Sequence, residues 1–355
     1  MKKIRFGLIG TGYRSLYFIR IAKCLPEIFE LTGVACRNEA RAKEHGALYG
    51  VNAVGSIEAL LETKPEFVVS CVPRAIMEQT LEKLLEAGMP ALSETPLAMD
   101  DASLMRLWAI HQRTGTPLQL AEQYFLWPTH QARRALLDRG LLGDVHNCWL
   151  SVAHDYHGVS LLRFFLQPQP GEIAIRARSV NTPIIVTGAR DGIHTDGEVG
   201  FENRTFAHFD YPDGKLGLYD FCGTQYRSAT RTSHLRILGT RGEIFDDEVL
   251  WTDAQNRPQR ARLEVRKDLK TGTIRAVDFE GERLYTNPFP SDVPMIEDEI
   301  AIADVLRRMG ETVRTGRPFY PDAYAYGDTY LAIRLWDLAA RDAMGKTERM
   351  PWDEA

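Results

Sequence analysis

A glycine-rich turn near the start of the chain constrains the fold more than any other feature. The sequence Gly-Leu-Ile-Gly-Thr-Gly at residues 7–12 follows a short apolar run and precedes a predicted helix over Tyr13–Cys24. Gly10 permits a tight turn, and Gly12 lets the backbone approach a diphosphate lying against the free N–H groups of the helix. Ser15 replaces the third glycine of the G-x-G-x-x-G pattern and is still small enough for close packing. The turn therefore predicts a dinucleotide-binding Rossmann domain.

The pattern of apolar residues divides the chain into two parts. Up to residue 121, short apolar runs alternate with amphipathic stretches, which predicts βαβ units and a parallel, doubly wound sheet. After about residue 143, strand-like runs follow one another, and two helical stretches close the chain over 295–315 and 322–343. Because 355 residues exceed the size of a single core, we predict two domains. They are an α/β Rossmann domain at 1–121 and an α+β domain at 122–355 with a large, mostly antiparallel sheet.

Composition excludes several classes of function. The formal net charge of −5 gives no basic field for nucleic acid or an anionic membrane. No apolar run approaches the ~18 residues of a membrane helix, and the first residues lack the apolar region of a signal peptide. The five cysteines are scattered without a Cys-x-x-Cys pair, and no histidine spacing is backed by carboxylates. We therefore expect a cytoplasmic protein with reduced thiols and no metal ion.

The end of the second predicted strand bears on which nicotinamide dinucleotide binds. A carboxylate usually stands there and holds the ribose 2′-hydroxyl. Here the sequence over residues 34–38 is Val-Ala-Cys-Arg-Asn, without a carboxylate. Arg37 could meet a 2′-phosphate or stack on adenine, which predicts NAD(P) binding with a preference for NADP. The alternative is a solvated Arg37 that has no effect on selectivity.

Five short motifs, in their order and spacing, resemble the glucose-fructose oxidoreductase / inositol dehydrogenase (Gfo/Idh/MocA) family. They are the glycine turn at 7–12, Val-Ser-Cys-Val-Pro at 69–73, Ser-Glu-Thr-Pro-Leu at 93–97, Gly-Leu-Leu-Gly at 140–143, and His-Gly-Val-Ser-Leu-Leu at 157–162. The resemblance covers nearly the whole chain. It implies hydride transfer between a nicotinamide and a carbohydrate carbon. It also implies that the domain at 122–355 serves substrate binding and oligomerisation, with an open sheet that often forms a dimer interface.

The dinucleotide site is predicted from the glycine turn, from the ends of the second and fourth strands, and from two segments that the resemblance places near the nicotinamide. The predicted contacts are Gly10, Thr11, Gly12, Tyr13, Arg14, Cys36, Arg37, Val72, Pro73, Arg74, Glu94, Thr95, Pro96 and Gln123.

Departures from the family pattern fall at the expected catalytic groups. The family commonly has lysine where this chain has Thr95, and aspartate where it has Ser160. The family histidine shortly after the Val-Pro turn is Met77, whereas the later histidine is retained as His157. The lysine–histidine pair that the resemblance implies is therefore half missing.

His157 is the first candidate for the acid–base group, because removing a hydroxyl proton needs a base with a pKa near neutrality. His154, Asp155 and Tyr156 stand beside it in a dense run of titratable side chains. Asp155 could orient a histidine and Tyr156 could relay a proton. Alternatively, His154 or Asp155 only caps a helix.

The leading hypothesis is an NAD(P)-dependent oxidoreductase that acts on a secondary hydroxyl or ketone of a sugar, glycoside or polyol. A homodimer or homotetramer through the C-terminal sheet is expected from the resemblance. A second hypothesis is a non-catalytic NAD(P)- and sugar-binding sensor, because a fold does not fix a function. A third is a glycosidase that uses its nicotinamide for transient oxidation without net redox change.

Overall fold

A computed structural model describes residues 2–189 and 192–354 of the chain. The helices within these residues are α1 (Tyr13–Cys24), α2 (Glu39–Tyr49), α3 (Ile57–Glu62), α4 (Met77–Glu86), α5 (Asp101–Thr114), α6 (Pro128–Asp138), α7 (Asp155–Leu166), α8 (Glu297–Thr315) and α9 (Asp322–Arg341). The strands are β1 (Ile4–Ile9), β2 (Phe29–Ala35), β3 (Ala53–Val54), β4 (Phe67–Ser70), β5 (Ala91–Ser93), β6 (Leu118–Leu120), β7 (Val145–Ser151), β8 (Ala174–Ile185), β9 (Gly188–Ala189), β10 (Gly192–Ile193), β11 (Val199–Asp210), β12 (Leu216–Cys222), β13 (His234–Gly239), β14 (Gly242–Phe245), β15 (Glu248–Thr252), β16 (Pro258–Arg262), β17 (Glu264–Lys267), β18 (Ile274–Phe279), β19 (Glu282–Thr286) and β20 (Ala343–Lys346).

The first six strands form one parallel sheet in the order β3-β2-β1-β4-β5-β6. All four residues of β4 are buried, as expected for a strand covered on both faces. The strand order reverses between β1 and β4, and ligands of open α/β sheets bind at the carboxyl ends of the strands at this point. The predicted α/β Rossmann fold is therefore confirmed, and its crevice lies beside the glycine turn.

Nine strands form the second large sheet, in the order β16-β15-β14-β13-β7-β12-β11-β8-β20. Only the pairing of β7 with β12 is parallel, so the predicted large and mostly antiparallel sheet is confirmed. Helices α7 and α9 pack on this sheet. The sheet thereby supports the start of α7, where the candidate histidines lie.

Some local predictions differ from the structure. The helix predicted over 322–343 ends at Arg341, because the chain turns through Asp342 at φ +50° and continues as the edge strand β20. The short helices α3 and α6 were not predicted. Within the described residues, no helix has both the length and the apolar character needed to cross a bilayer.

The C-terminal helices return to the first sheet. Gly310 of α8 lies against Ile4 of β1. Arg314, near the end of the same helix, pairs with Glu66 at 2.9 Å and donates to the Lys3 carbonyl at 2.8 Å. The division of the chain at residue 121 stays a prediction, since α8 packs against strands on the other side of that boundary.

Candidate active site

The glycine turn after β1 leaves open space at the start of α1. Gly10 has φ +116°, and a Cβ there would overlap the carbonyl oxygen of Cys71. Gly12 is the N-cap of α1, no described side chain caps the helix, and no atom lies within 4 Å of a Cβ built on Gly12. The backbone N–H groups of this first turn are thus available to an anion. The residues present fit the diphosphate of a dinucleotide.

Substitution of Gly10 by alanine is expected to weaken dinucleotide binding more than tenfold. The new Cβ requires both an unfavourable positive φ and a shift of the Cys71 backbone, at a cost of about 2–4 kcal/mol. Gly88→Ala is the matched control, since Gly88 also has a positive φ but nothing lies within 4 Å of its Cβ position. Isothermal titration with NADPH and thermal unfolding of both variants measure the difference. Equal dinucleotide affinity of the two variants would contradict the role of the turn.

A partly buried ion-pair network lies behind the turn. Arg14 Nε is 2.9 Å from Glu94 Oε1, and Arg14 Nη1 is 3.4 Å from Asp298 Oδ2. Asp298 Oδ1 also accepts from Gln123 Nε2 and Trp127 Nε1, each at 3.1 Å. These contacts join the starts of α1 and α8 to the ends of β5 and β6. The side chains of Arg14 and Glu94, both predicted dinucleotide contacts, are therefore engaged with each other.

The remaining predicted dinucleotide contacts lie along the carboxyl ends of the parallel strands. After β2, Cys36 is buried and Arg37 is exposed at the strand tip. After β4, Val72 and Pro73 lead into a short turn of helix, where the Arg74 guanidinium lies 5.9 Å from the Trp336 ring centre. These positions border the crevice, and their contacts with a dinucleotide stay predictions.

A carboxyl and an imidazole, Glu122 and His157, form the central pair of the site. Glu122 follows β6 and His157 lies in the first turn of α7. Glu122 Oε2 is 2.6 Å from His157 Nδ1, and Glu122 Oε1 accepts from the Tyr124 backbone N–H at 2.9 Å. The two residues are only 1% and 5% exposed. Among the described residues, no hydrogen bond reaches His157 Nε2, which leaves this atom available to a substrate.

Burial determines the protonation of this pair. It raises the pKa of Glu122 to about 8 and lowers the pKa of His157 well below its usual value, because each charged form loses solvation. Near neutral pH Glu122 is therefore protonated and His157 is neutral, so one proton lies in the 2.6 Å contact and the N–H of the ring is at Nε2. Loss of one proton from the pair, as the pH rises through about 8, leaves a proton between Glu122 and Nδ1 and makes Nε2 a base.

His154 and Tyr156 lie next to this pair. The ring centres of His154 and Tyr156 are 4.9 Å and 4.3 Å from that of His157. His154 Nε2 is 2.8 Å from Tyr156 Oη, and His154 Nδ1 is 2.6 Å from Tyr226 Oη. Burial, with a smaller effect of the neighbouring His157, lowers the pKa of His154 to about 3. The structure thus brings three of the four predicted catalytic candidates together.

Asp155 differs from the expectation that it could orient a histidine. It is the first residue of α7 with φ +37°, and its backbone N–H donates to Tyr219 Oη at 2.8 Å. Glu122, and not Asp155, makes the hydrogen bond to His157. The position of Glu122 directly after a predicted strand was a signal for this role. Tyr226 and Asp298 carried no such signal, because only the tertiary fold brings them to the site.

Near the loop between β10 and β11, His194, Asp196 and Glu198 bring one possible metal-ligand atom each to within 4.8 Å of one another. The expectation that no histidine spacing is backed by carboxylates is therefore wrong for this segment. The two carboxylates are exposed, and exposed acidic groups are common without an ion. The absence of a metal ion from the working protein stays a prediction.

Comparison with known proteins identifies the first domain. Residues 4–122 match a family described as an oxidoreductase family with an NAD-binding Rossmann fold. The chain is 31% identical over 148 residues to dTDP-3,4-didehydro-2,6-dideoxy-alpha-D-glucose 3-reductase of Streptomyces violaceoruber, covering 41% of this chain and 43% of that protein. It is 23% identical to trans-1,2-dihydrobenzene-1,2-diol dehydrogenase of Bos taurus, over 67% and 72% of the two chains. The first of these matches spans less than half of the relative's length.

The whole fold resembles that of solved oxidoreductases. Levoglucosan dehydrogenase in complex with NADH superposes with a TM-score of 0.73 at 14% identity, covering 98% of this chain and 100% of that chain. An NAD-binding oxidoreductase from Klebsiella pneumoniae gives a TM-score of 0.70 at 15% identity over 98% and 100% of the chains. The sequence match to the Rossmann domain and the likeness of the full fold agree. Residues 4–122 thus match the NAD-binding Rossmann domain of the Gfo/Idh/MocA oxidoreductase family, and the full chain has the same fold as solved oxidoreductases.

Proposed function

We propose that the protein is an NAD(P)-dependent oxidoreductase that interconverts a secondary hydroxyl and a ketone on a sugar, glycoside or polyol. The observation that carries the proposal is the 2.6 Å contact between Glu122 and His157, at the carboxyl end of the Rossmann sheet. The relatives named above include a reductase of a nucleotide-linked deoxysugar and a diol dehydrogenase. Their substrates share a carbinol or carbonyl carbon next to other oxygen substituents.

The bound nicotinamide supplies the hydride acceptor in oxidation and the hydride donor in reduction. In the oxidation direction, the form of the pair that has lost one proton accepts the hydroxyl proton of the substrate at His157 Nε2, and in reduction Nε2–H donates it. Glu122 accepts the hydrogen bond from Nδ1, fixes the ring orientation and stabilises the imidazolium that forms. Burial excludes bulk water from this pair and so strengthens its interactions with the reacting oxygen. Arg14 and Asp298 keep the glycine turn and α8 in fixed positions behind the site.

The direct test is product analysis with pooled substrates. The protein is incubated with NADP⁺ or NAD⁺ and a mixture of sugars, glycosides and polyols, and mass spectrometry identifies each compound that loses two hydrogen atoms. The proposal expects at least one such product together with reduced nicotinamide. Release of a free sugar from a glycoside without net reduction would instead favour a redox-neutral glycosidase. An unchanged pool with either NADP⁺ or NAD⁺, with proven dinucleotide binding, would favour a sensor.

We also propose that the protein prefers NADP, because Arg37 is exposed at the tip of β2 where no carboxylate stands. Replacing Arg37 by alanine is expected to raise the Kd for NADPH about tenfold, since a charge-assisted hydrogen bond to the 2′-phosphate is lost. The Kd for NADH should change little. Arg41→Ala serves as a control, since Arg41 already pairs with Glu44 at 2.6 Å. Tighter binding of NADH than NADPH by the parent protein would refute the preference.

The exposed hydrophobic side chains of the nine-stranded sheet support the proposal of a homodimer or homotetramer. Ile185 of β8 and Val199, Phe201 and Phe206 of β11 are all more than 40% exposed. Large apolar groups grouped on one sheet commonly mark a protein interface. A second copy of the chain would remove them from water.

A further inference from the structure

A chain of hydrogen bonds connects the nine-stranded sheet to the site beside His157. Tyr226 ends the short helical turn that follows β12. Its hydroxyl oxygen accepts from Tyr124 Oη at 3.3 Å and from the His154 backbone N–H at 3.1 Å. His154 Nδ1 lies 2.6 Å from the same oxygen. Tyr226 is therefore held by three groups of the site although it is distant from them in sequence.

These contacts determine where the proton of His154 lies. Because Tyr226 Oη already accepts two hydrogen bonds, its own proton is directed to His154 Nδ1. A neutral imidazole carries one N–H, which must then be at Nε2. Burial lowers the pKa of His154 to about 3, so the ring stays neutral near pH 7. His154 Nε2–H therefore donates to Tyr156 Oη across 2.8 Å.

Tyr156 consequently receives a donor from the protein. Its oxygen accepts from His154 Nε2–H across 2.8 Å. Burial raises the pKa of the Tyr156 phenol, so it retains its proton. That proton points away from the His154 donor. The Tyr156 ring contacts the His157 ring, with centres 4.3 Å apart, so both side chains border the same space.

We infer that Tyr226 is a positioning residue that, acting through His154, holds the Tyr156 hydroxyl as a hydrogen-bond donor to the substrate oxygen. The inference rests on the proposed oxidoreductase function and deepens it. Tyr156 is then a catalytic residue that touches the substrate, while His157 exchanges the proton. A donor at this oxygen stabilises the negative charge that develops when the hydroxyl proton leaves or a hydride arrives.

A double-mutant cycle tests this assignment. Tyr156→Phe is expected to lower kcat about 10²-fold, the usual effect of losing one donor to a developing oxyanion. Tyr226→Phe frees the His154 tautomer and should lower kcat roughly tenfold with KM nearly unchanged. Because Tyr226 acts only through Tyr156, the double variant should be no slower than Tyr156→Phe alone. Independent, multiplying losses, or a Tyr226→Phe variant as fast as the parent, would overturn the inference.

Tyr219→Phe is the matched control. Tyr219 Oη accepts from the backbone N–H of Asp155, the residue between His154 and Tyr156, but it is not in the chain of hydrogen bonds. Any loss that this variant causes by loosening the start of α7 should multiply with that of Tyr156→Phe. If the loss in kcat fails to multiply with that of Tyr156→Phe for Tyr226→Phe but multiplies for Tyr219→Phe, Tyr226 has a positioning role and not a purely structural one.

Nitrogen-15 NMR of histidine-labelled protein tests the same geometry without turnover. The His154 resonance, assigned with His154→Asn, should show the Nε2–H tautomer in the parent protein and a tautomer mixture in Tyr226→Phe. A His154 that is protonated at Nδ1, or that titrates near the usual value of about 6.5, would overturn the inference. If the parent protein turned over no substrate, the proposed function would fail, and the tautomer would still decide whether Tyr226 positions Tyr156.

Discussion

Replacing His157 by alanine is expected to lower kcat/KM by about 10²–10⁴, the usual contribution of a general acid–base group. The loss arises because Nε2 is the atom of the Glu122–His157 pair that remains available to a substrate. Dinucleotide affinity should be preserved, since the diphosphate is expected at the glycine turn and the start of α1, and His157 belongs to neither. Steady-state kinetics and isothermal titration with NADPH measure the two quantities.

Two further variants separate chemistry from packing. His157→Gln keeps a donor for Glu122 but has no base, so it should be as inactive as His157→Ala and better folded. His45→Gln alters another buried histidine, located in α2, and should retain the activity of the parent protein. Full activity of either His157 variant would refute the assignment of the acid–base group.

Glu122→Gln is expected to lower kcat/KM by at least about 10², although it changes only one atom. In the parent protein, Glu122 Oε1 accepts from the Tyr124 N–H and Oε2 faces His157 Nδ1. The amide oxygen of glutamine must keep the first contact, so its NH₂ group faces Nδ1. The imidazole proton then stays on Nε2 at every pH, because the amide cannot lose a proton as Glu122 does, and the ring cannot accept the substrate proton.

Glu122→Asp is the matched comparison, because it keeps a carboxylate but shortens its reach. It should retain part of the activity that Glu122→Gln loses. Removal of the carboxyl also removes the partner with a pKa of about 8, so the pH dependence of kcat/KM should change shape in Glu122→Gln. An activity of Glu122→Gln equal to that of the parent protein would mean that Glu122 and His157 do not act together as the acid–base group.

The Rossmann domain could be predicted closely because its signals are local. The glycine turn lies between a strand and a helix, and both α1 and β1 have the boundaries that periodicity predicts. The second sheet was predicted to be large and mostly antiparallel, but the order in which its strands pair was not predicted. Strand β7 pairs with β12 and β13, which are separated from it by more than 60 residues, and nothing local specifies such contacts.

In the candidate site, too, neighbours in sequence could be predicted and contacts between distant residues could not. His154, Tyr156 and His157 are neighbours in sequence, so one polar run indicated them together. Their partners come from elsewhere: Glu122 from the end of β6 and Tyr226 from the turn after β12. Hydrogen bonds across such distances are set by how α7 packs on both sheets. The dinucleotide role of Arg14 was inferred from its place after the turn, whereas its pairing with Asp298 depends on the return of α8.

A single-turnover experiment tests the central claim most directly. The protein is loaded with NADP⁺ or NAD⁺ and mixed rapidly with the pool of sugars, glycosides and polyols, while the absorbance of reduced nicotinamide is followed. The Glu122–His157 account predicts a rise with the parent protein that approaches one equivalent per site, is largest with NADP⁺, and is slowed by at least about 10² in Glu122→Gln. No rise in a parent protein that demonstrably binds the dinucleotide, or an equal rate in the variant, would contradict it.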